Sequence, residues 1–163
     1  MLRFRDRQET LSAFGDRDLV KCPHCGACAQ VDLIPSLQGV VKHHLTCQTC
    51  NISEEVGYFN YPPLWLQVSC CGNTLWAYNL KHLEFIEMFV KARLREYKSD
   101  LGETLGWSNR SLVLRLPQWL KSCRNYHKEE ILNVIQSLRE SSLHLDSCTL
   151  PQLAKIQLEV IAN

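Results

Sequence analysis

The chain has 163 residues, 45% of them hydrophobic and 21% charged, a length and balance that fit one globular unit with a real buried core. Its longest apolar stretches, such as Phe85 to Val90, are broken by Glu or Lys well short of the roughly 18 residues of a membrane helix, so no membrane span is expected. The formal net charge of +1 is uneven: residues 91–128 carry nine Lys or Arg against three Asp or Glu, and the remainder nine against fourteen, so long-range attraction to nucleic acid is confined to that middle segment.

Met1 to Arg7 is basic, but no apolar run or small-residue cleavage site follows it, so a secretory signal is not expected and the cytoplasm is the default compartment. Residues 1–20 read as a short arm or helix whose Leu11, Phe14 and Leu19 can pack back on the body. From Lys21 the order is knuckle, strand, turn, strand, knuckle: Cys22-Pro-His-Cys-Gly26, then Ala29 to Ile34, a turn at Pro35 to Gly39, Val40 to Thr46, and Cys47-Gln-Thr-Cys-Asn51. That order is a zinc ribbon.

Tyr61-Pro62-Pro63 breaks the chain before a second hairpin, in which Leu64, Leu66 and Val68 alternate with polar or larger residues, Cys71-Gly72-Asn73 turns, and Thr74 to Tyr78 returns. The hairpin is expected to lie against the ribbon. Asn79 is placed to cap a helix from Leu80 to about Tyr97, with Leu80, Leu83, Ile86, Val90 and Leu94 on one face. Ser99 to Trp107 reads as a loop. A short helix from Ser111 to Leu116 then ends at Pro117, which lacks an N–H and opens a further turn or two from Gln118 to Cys123. Asn125 would cap a helix with Ile131, Val134, Ile135 and Leu138 on its face, and Thr149-Leu-Pro151 would open a last one carrying Leu153, Ile156 and Val160. The expected fold is therefore α+β. An arm (1–20) precedes a four-cysteine zinc ribbon with β-hairpins (21–78), and a helical C-terminal half (79–163) packs on it.

Nine cysteines, at 22, 25, 28, 47, 50, 70, 71, 123 and 148, are an odd number arranged around two C-x2-C pairs, which favours metal binding over a disulfide framework. Each C-x2-C knuckle presents two thiolates from one tight turn, and two knuckles close a tetrahedron, so Cys22, Cys25, Cys47 and Cys50 are expected to hold one structural zinc ion. The 21 residues from 26 to 46 lie just beyond the usual spacing between such pairs, an excess that a longer hairpin absorbs. Gly26 and Asn51 are residue types that tolerate the left-handed conformation knuckles need. Iron in a rubredoxin-like site is the competing occupant. Four sulfurs leave no open position, so the ion is expected to hold the fold and not to activate water.

Cys28 continues the spacing and could replace Cys25, but it reads better as a strand residue near the site. Cys70 and Cys71 are adjacent, and adjacent strand side chains point to opposite faces, so both are not expected on one ion. A second site from Cys28 and one of them is the alternative to plain packing, which also serves for Cys123 and Cys148. His24, His43 and His44 lie near the knuckles. The segment Cys22-x-x-Cys-Gly, Val31-Asp32, Ile34-Pro35, Cys47-x-x-Cys-Asn51 resembles the zinc-framed HNH nucleases, but the position after Asp32, where such enzymes place a catalytic histidine, is Leu33. His43 and His44 could substitute only through a different geometry.

Asn109 to Lys128 joins cations to Trp119 and Tyr126. Arg110, Arg115, Lys121, Arg124 and Lys128 are candidate phosphate contacts, with Trp119 expected in the core. Trp65 and Trp76 are candidate partner contacts. Pro63-Leu-Trp-Leu-Gln67, Cys71-Gly-x-Thr-Leu-Trp-Ala-Tyr-Asn-Leu80, His82-Leu83, Leu94-Arg-Glu96, Asn109-Arg-Ser-Leu112 and Arg115-Leu-Pro-x-Trp119-x-Lys121 together resemble a set of small, largely uncharacterised bacterial zinc-ribbon proteins, over about residues 20–138. The resemblance implies the same fold. Some members carry a replication-restart helicase label, yet this chain has no phosphate-binding loop. Their usual Lys-Asn-Arg is Arg124-Asn125-Tyr126 here, one positive charge fewer. The expected function is a non-catalytic module that binds nucleic acid or docks onto a nucleic-acid-processing complex. Its competitors are a protein adaptor without nucleic-acid contact and a degenerate HNH-like nuclease.

Overall fold

The structure is a computed structural model that describes residues 3–7, 9–15, 17–35, 41–92, 94–96, 112–122 and 127–142. Its strands are β1 (Arg3–Arg5), β2 (Arg17–Lys21), β3 (Cys28–Pro35), β4 (Val41–Cys47), β5 (Ile52–Val56), β6 (Leu66–Cys70), β7 (Asn73–Ala77) and β8 (Leu94–Glu96). The helices are α1 (Leu80–Lys91), α2 (Leu112–Arg115), α3 (Gln118–Ser122) and α4 (128–142). The fold is α+β, with antiparallel hairpins first and helices after.

The ribbon is a four-stranded antiparallel sheet in the order β2-β3-β4-β5, and each knuckle is the turn of one of its hairpins. Two of these strands go beyond the sequence expectation. β2 begins at Arg17, inside the segment read as an arm or helix, and β5 follows the second knuckle with a half-buried alternation of Ile52, Glu54 and Val56. The N-terminal segment is thus corrected from arm or helix to strand, a single 3-10 turn at Leu11–Ala13, and strand. Its register explains the difference: Val20 and Leu19 are buried on opposite faces, so both sides of β2 are covered. β5 forms the outer edge, where Glu54 and Glu55 discourage pairing with another chain.

Strand β2 also joins the ribbon to the second hairpin. The Lys21 N–H donates to Pro63 O (2.8 Å), Trp65 N–H to Leu19 O (2.9 Å) and Leu19 N–H to Tyr78 O (2.7 Å), so β6–β7 does lie against the ribbon. Its turn is Cys71-Gly72, both at positive φ (51° and 70°), the left-handed pair of a type I′ connection.

Asn79 caps α1 as expected: its Oδ1 accepts from the His82 N–H (2.9 Å), while its amide donates to Phe14 O and Arg17 O. One side chain therefore starts the helix and fastens the N-terminal segment to it. The helix stops at Lys91, several residues before Tyr97, because Ala92 is extended and Leu94–Glu96 pairs in parallel with β1. Phe4 of β1 meets Phe85 and Phe89 edge-on, each at 5.4 Å, so the pairing is backed by the core. α2 and α3 occur where the Pro117 break placed them, and α4 buries Ile131, Ile135 and Leu138 as its pattern required. The expected cap at Asn125, the loop 99–107 and the last helix around Leu153 to Val160 lie outside the described residues.

Two cores result. The larger gathers Phe4, Phe14, Leu66, Leu75, α1, α2, α3 and α4; the smaller lies within the ribbon and contains Val20, Ala29, Val31 and Leu45 beside Cys22 and Cys47.

Candidate metal centre and adjoining clefts

Knuckle geometry brings the four predicted sulfurs together. The Cys22 N–H donates to Ala27 O (2.7 Å) and the Gly26 N–H to Cys22 O (2.9 Å), which folds the first turn tightly; Gly26 (φ 72°) and Asn51 (φ 58°) take the left-handed conformation expected of them. The Sγ atoms of Cys22, Cys25, Cys47 and Cys50 all lie within 4.8 Å of one another, with Cys22–Cys50 at 3.7 Å and Cys25–Cys47 at 3.6 Å. Four sulfurs at a zinc–sulfur distance of about 2.3 Å stand roughly 3.8 Å apart in a tetrahedron, so this donor set fits a thiophilic metal ion.

The protonation chemistry agrees. Burial pushes the Cys22 thiol up, but the backbone N–H groups of Cys25 and His24 donate to its sulfur and bring it down to about 6. Cys50 is pushed up to about 12 by burial and by the neighbouring thiols of Cys47, Cys25 and Cys22. The Cys22 thiolate is stabilised by the knuckle amides, while Cys25 and Cys50 resist ionising beside it. A bound cation removes that resistance.

Cys28 is no ligand here: it is buried in the larger core, its thiol pushed up to about 12 by burial and by Cys47. Cys70 and Cys71, by contrast, overturn the expectation that they diverge. Their sulfurs are 3.5 Å apart, because Cys71 sits in the turn at positive φ and not in the strand. Cys123 and Cys148 lie outside the described residues.

The histidines near the knuckles are occupied elsewhere. His24 Nε2 meets Glu54 (2.9 Å), His44 Nε2 meets Ser53 Oγ (2.8 Å), and His43 stands edge-on to Tyr61 at 5.4 Å. Asp32 pairs with Arg17 (2.7 Å), and Leu33 beside it is 37% exposed. Among the described residues no histidine joins a cluster of metal donors.

Of the candidate phosphate contacts, Arg115 is exposed, Lys121 is half-buried with contacts of its own, and Lys128 is committed, its Nζ donating to Lys91 O at the end of α1 (2.8 Å). Arg110 and Arg124 lie outside the described residues. Trp119 packs on the larger core as expected; Trp65, a candidate partner contact, also packs there, half-buried, with its backbone bound to β2. Trp76 is 38% exposed and edge-on to Tyr78 and His82.

Arg115, Trp76 and Trp119 line one cleft of about 200 Å³. A larger cleft of about 550 Å³ adjoins it across Leu11, walled by Tyr58, Tyr61, Tyr78 and His43. At its wall lies Asp18, a residue that sequence reading passed over. Asp18 is buried; Tyr61 donates to its Oδ2, while Oδ1 has no partner among the described residues. Burial pushes its carboxyl above the ordinary range, partly offset by the Tyr61 hydroxyl and His43. No signal at Asp18 itself could have found it, since its partner Tyr61 is 43 residues away.

Comparison with protein families, curated proteins and solved structures finds no match for the chain. Among the described residues no helix is long and apolar enough to cross a membrane.

Proposed function

We propose that this chain is a non-catalytic cytoplasmic zinc-ribbon module whose aromatic clefts bind single-stranded nucleic acid, by itself or docked onto a nucleic-acid-processing complex. The observation that carries this reading is the shared cleft of Arg115, Trp76 and Trp119, continued by the tyrosine-walled cleft beside it. Unpaired bases stack on aromatic faces, and a cation among those faces meets the phosphate that follows each base. The four-cysteine site supports a scaffold role, because zinc held by four sulfurs has no position left for water. The resemblance to small bacterial zinc-ribbon proteins supports the fold that this reading assumes.

The test is binding of a labelled single-stranded oligonucleotide over a range of salt, with the matching duplex as control. Affinity should fall with rising salt, and Trp76→Ala should weaken it at least about fivefold, the loss of one stacked base. Absence of binding at low salt would sink the proposal.

A second reading, the protein adaptor, has its own observation: Phe59 is 98% and Tyr58 82% exposed, with Ile34 and Val41 also exposed on the ribbon hairpin. Co-purification of a partner that Phe59→Ser abolishes and Trp76→Ala does not would favour it.

A further inference from the structure

The tip of the β6–β7 hairpin holds a second group of metal donors, apart from the ribbon. In a flat strand Cys70 and Cys71 would point to opposite faces. The chain turns instead: Cys70 pairs with Asn73 as the last rung, and Cys71 at φ 51° swings its side chain back until the two sulfurs stand 3.5 Å apart. Glu130, in the first turn of α4, brings a carboxylate oxygen to the same point, so that all three donors lie within 4.8 Å of one another. Cys70 is buried, Cys71 half-buried and Glu130 exposed, which leaves the group dry on the sulfur side and open on the carboxylate side.

The sulfur separation has a chemical meaning. At 3.5 Å it is far longer than the roughly 2.05 Å of a disulfide and close to the 3.6 Å and 3.7 Å found in the ribbon. Two sulfurs at that distance fit one ion. Paired thiolates select thiophilic metals, and the added carboxylate oxygen favours zinc over copper(I), which prefers sulfur throughout. The geometry points to Cys70, Cys71 and Glu130 as a second metal site, which takes a zinc ion through two sulfurs and one oxygen. Among the described residues no fourth donor joins them. Unlike the ribbon site, this one spans two distant elements, and its ion would tie the hairpin tip to the start of α4.

The test uses the full chain, purified reduced, loaded with zinc alone, desalted and assayed for bound zinc per chain. Wild type should hold two ions, Cys71→Ser one, and Glu130→Gln should release its second ion at least tenfold more readily. Cobalt alone, as a spectroscopic replacement, should show a thiolate band that loses its second component in Cys71→Ser and keeps the ribbon component. A wild type that holds one ion overturns the proposal. So does a Cys71→Ser chain that still holds two, or one whose cobalt spectrum is unchanged. Far-UV circular dichroism of Cys71→Ser, expected to match wild type, separates loss of the site from loss of the fold.

Discussion

His82 shows at the scale of one residue how burial sets chemistry. It is 2% exposed, surrounded by the rings of Phe14, Trp76 and Tyr78; Nδ1 accepts from the Tyr78 N–H (3.3 Å), and Nε2 has no partner among the described residues. Burial lowers its pKa from 6.5 to about 4. As pH falls, the unfolded chain takes up the proton first, so stability present above pH 6.5 is lost between there and pH 4, up to about 3 kcal/mol. His82→Asn keeps an acceptor near the Nδ1 position and removes the titration. Urea unfolding across this window should therefore give a shallower pH slope for the variant than for wild type at equal metal content; parallel slopes would refute the assignment.

Gly26 isolates backbone strain from packing. Its φ is +72° and a Cβ there would meet nothing within 4 Å, so Gly26→Ala is strained by conformation alone, by about 1 kcal/mol. After loading with a thiophilic metal ion, competition against a chelator should show about fivefold weaker retention at the four ribbon cysteines. No change would mean that the knuckle relaxes without effect on the site.

Among the elements, α1 depends on a cap that does two jobs. Asn79→Ala removes the acceptor for the His82 N–H and both donors to Phe14 O and Arg17 O. The cap is worth about 1 kcal/mol and each lost bond leaves a carbonyl to re-satisfy, so the expected loss in denaturant unfolding is about 2–3 kcal/mol. Asn79→Asp restores the cap acceptor but turns a carboxylate oxygen on two carbonyls. It should stay destabilised, with faster amide exchange between residues 17 and 21; full rescue by Asp would show that only the helix cap matters.

What sequence alone could resolve follows from how local each signal is. The knuckles, the Cys71-Gly72 turn, the Asn79 cap and the apolar faces of α1 and α4 are all written within a few residues, and the structure has them. β1 and β8 are three-residue strands that pair across about ninety positions, too short to show a period, and the helical spacing that runs on through Leu94 conceals where α1 ends. The cluster of the four ribbon cysteines was legible from spacing. The meeting of Cys70 with Cys71 was not, because it depends on one φ angle, and Asp18 was hidden because its environment is supplied by residues far along the chain.

For the molecule as a whole, the two cores differ in self-sufficiency. The ribbon core has few apolar side chains beyond Val20, Ala29, Val31 and Leu45, so an ion held by its four cysteines would add much to it, whereas the larger core gathers aromatic and aliphatic residues from β1, the hairpin and four helices. A strong chelator should therefore unfold the molecule in parts. Hydrogen exchange should show protection lost over residues 28–35 and 41–56 and retained in 80–91 and 128–142. Uniform loss would mean that the cores fold as one cooperative unit.

The parallel pairing of β1 with β8 also imposes a timetable. All four clustered ribbon cysteines fall between residues 22 and 50, so a metal ion bound there would close their loop while the polypeptide is still being synthesised. Phe4 has no such early refuge: its ring docks on Phe85 and Phe89, and its strand awaits Leu94–Glu96. Strand β1 thus precedes the ribbon in sequence yet can take its place only after residues 94–96 have been made.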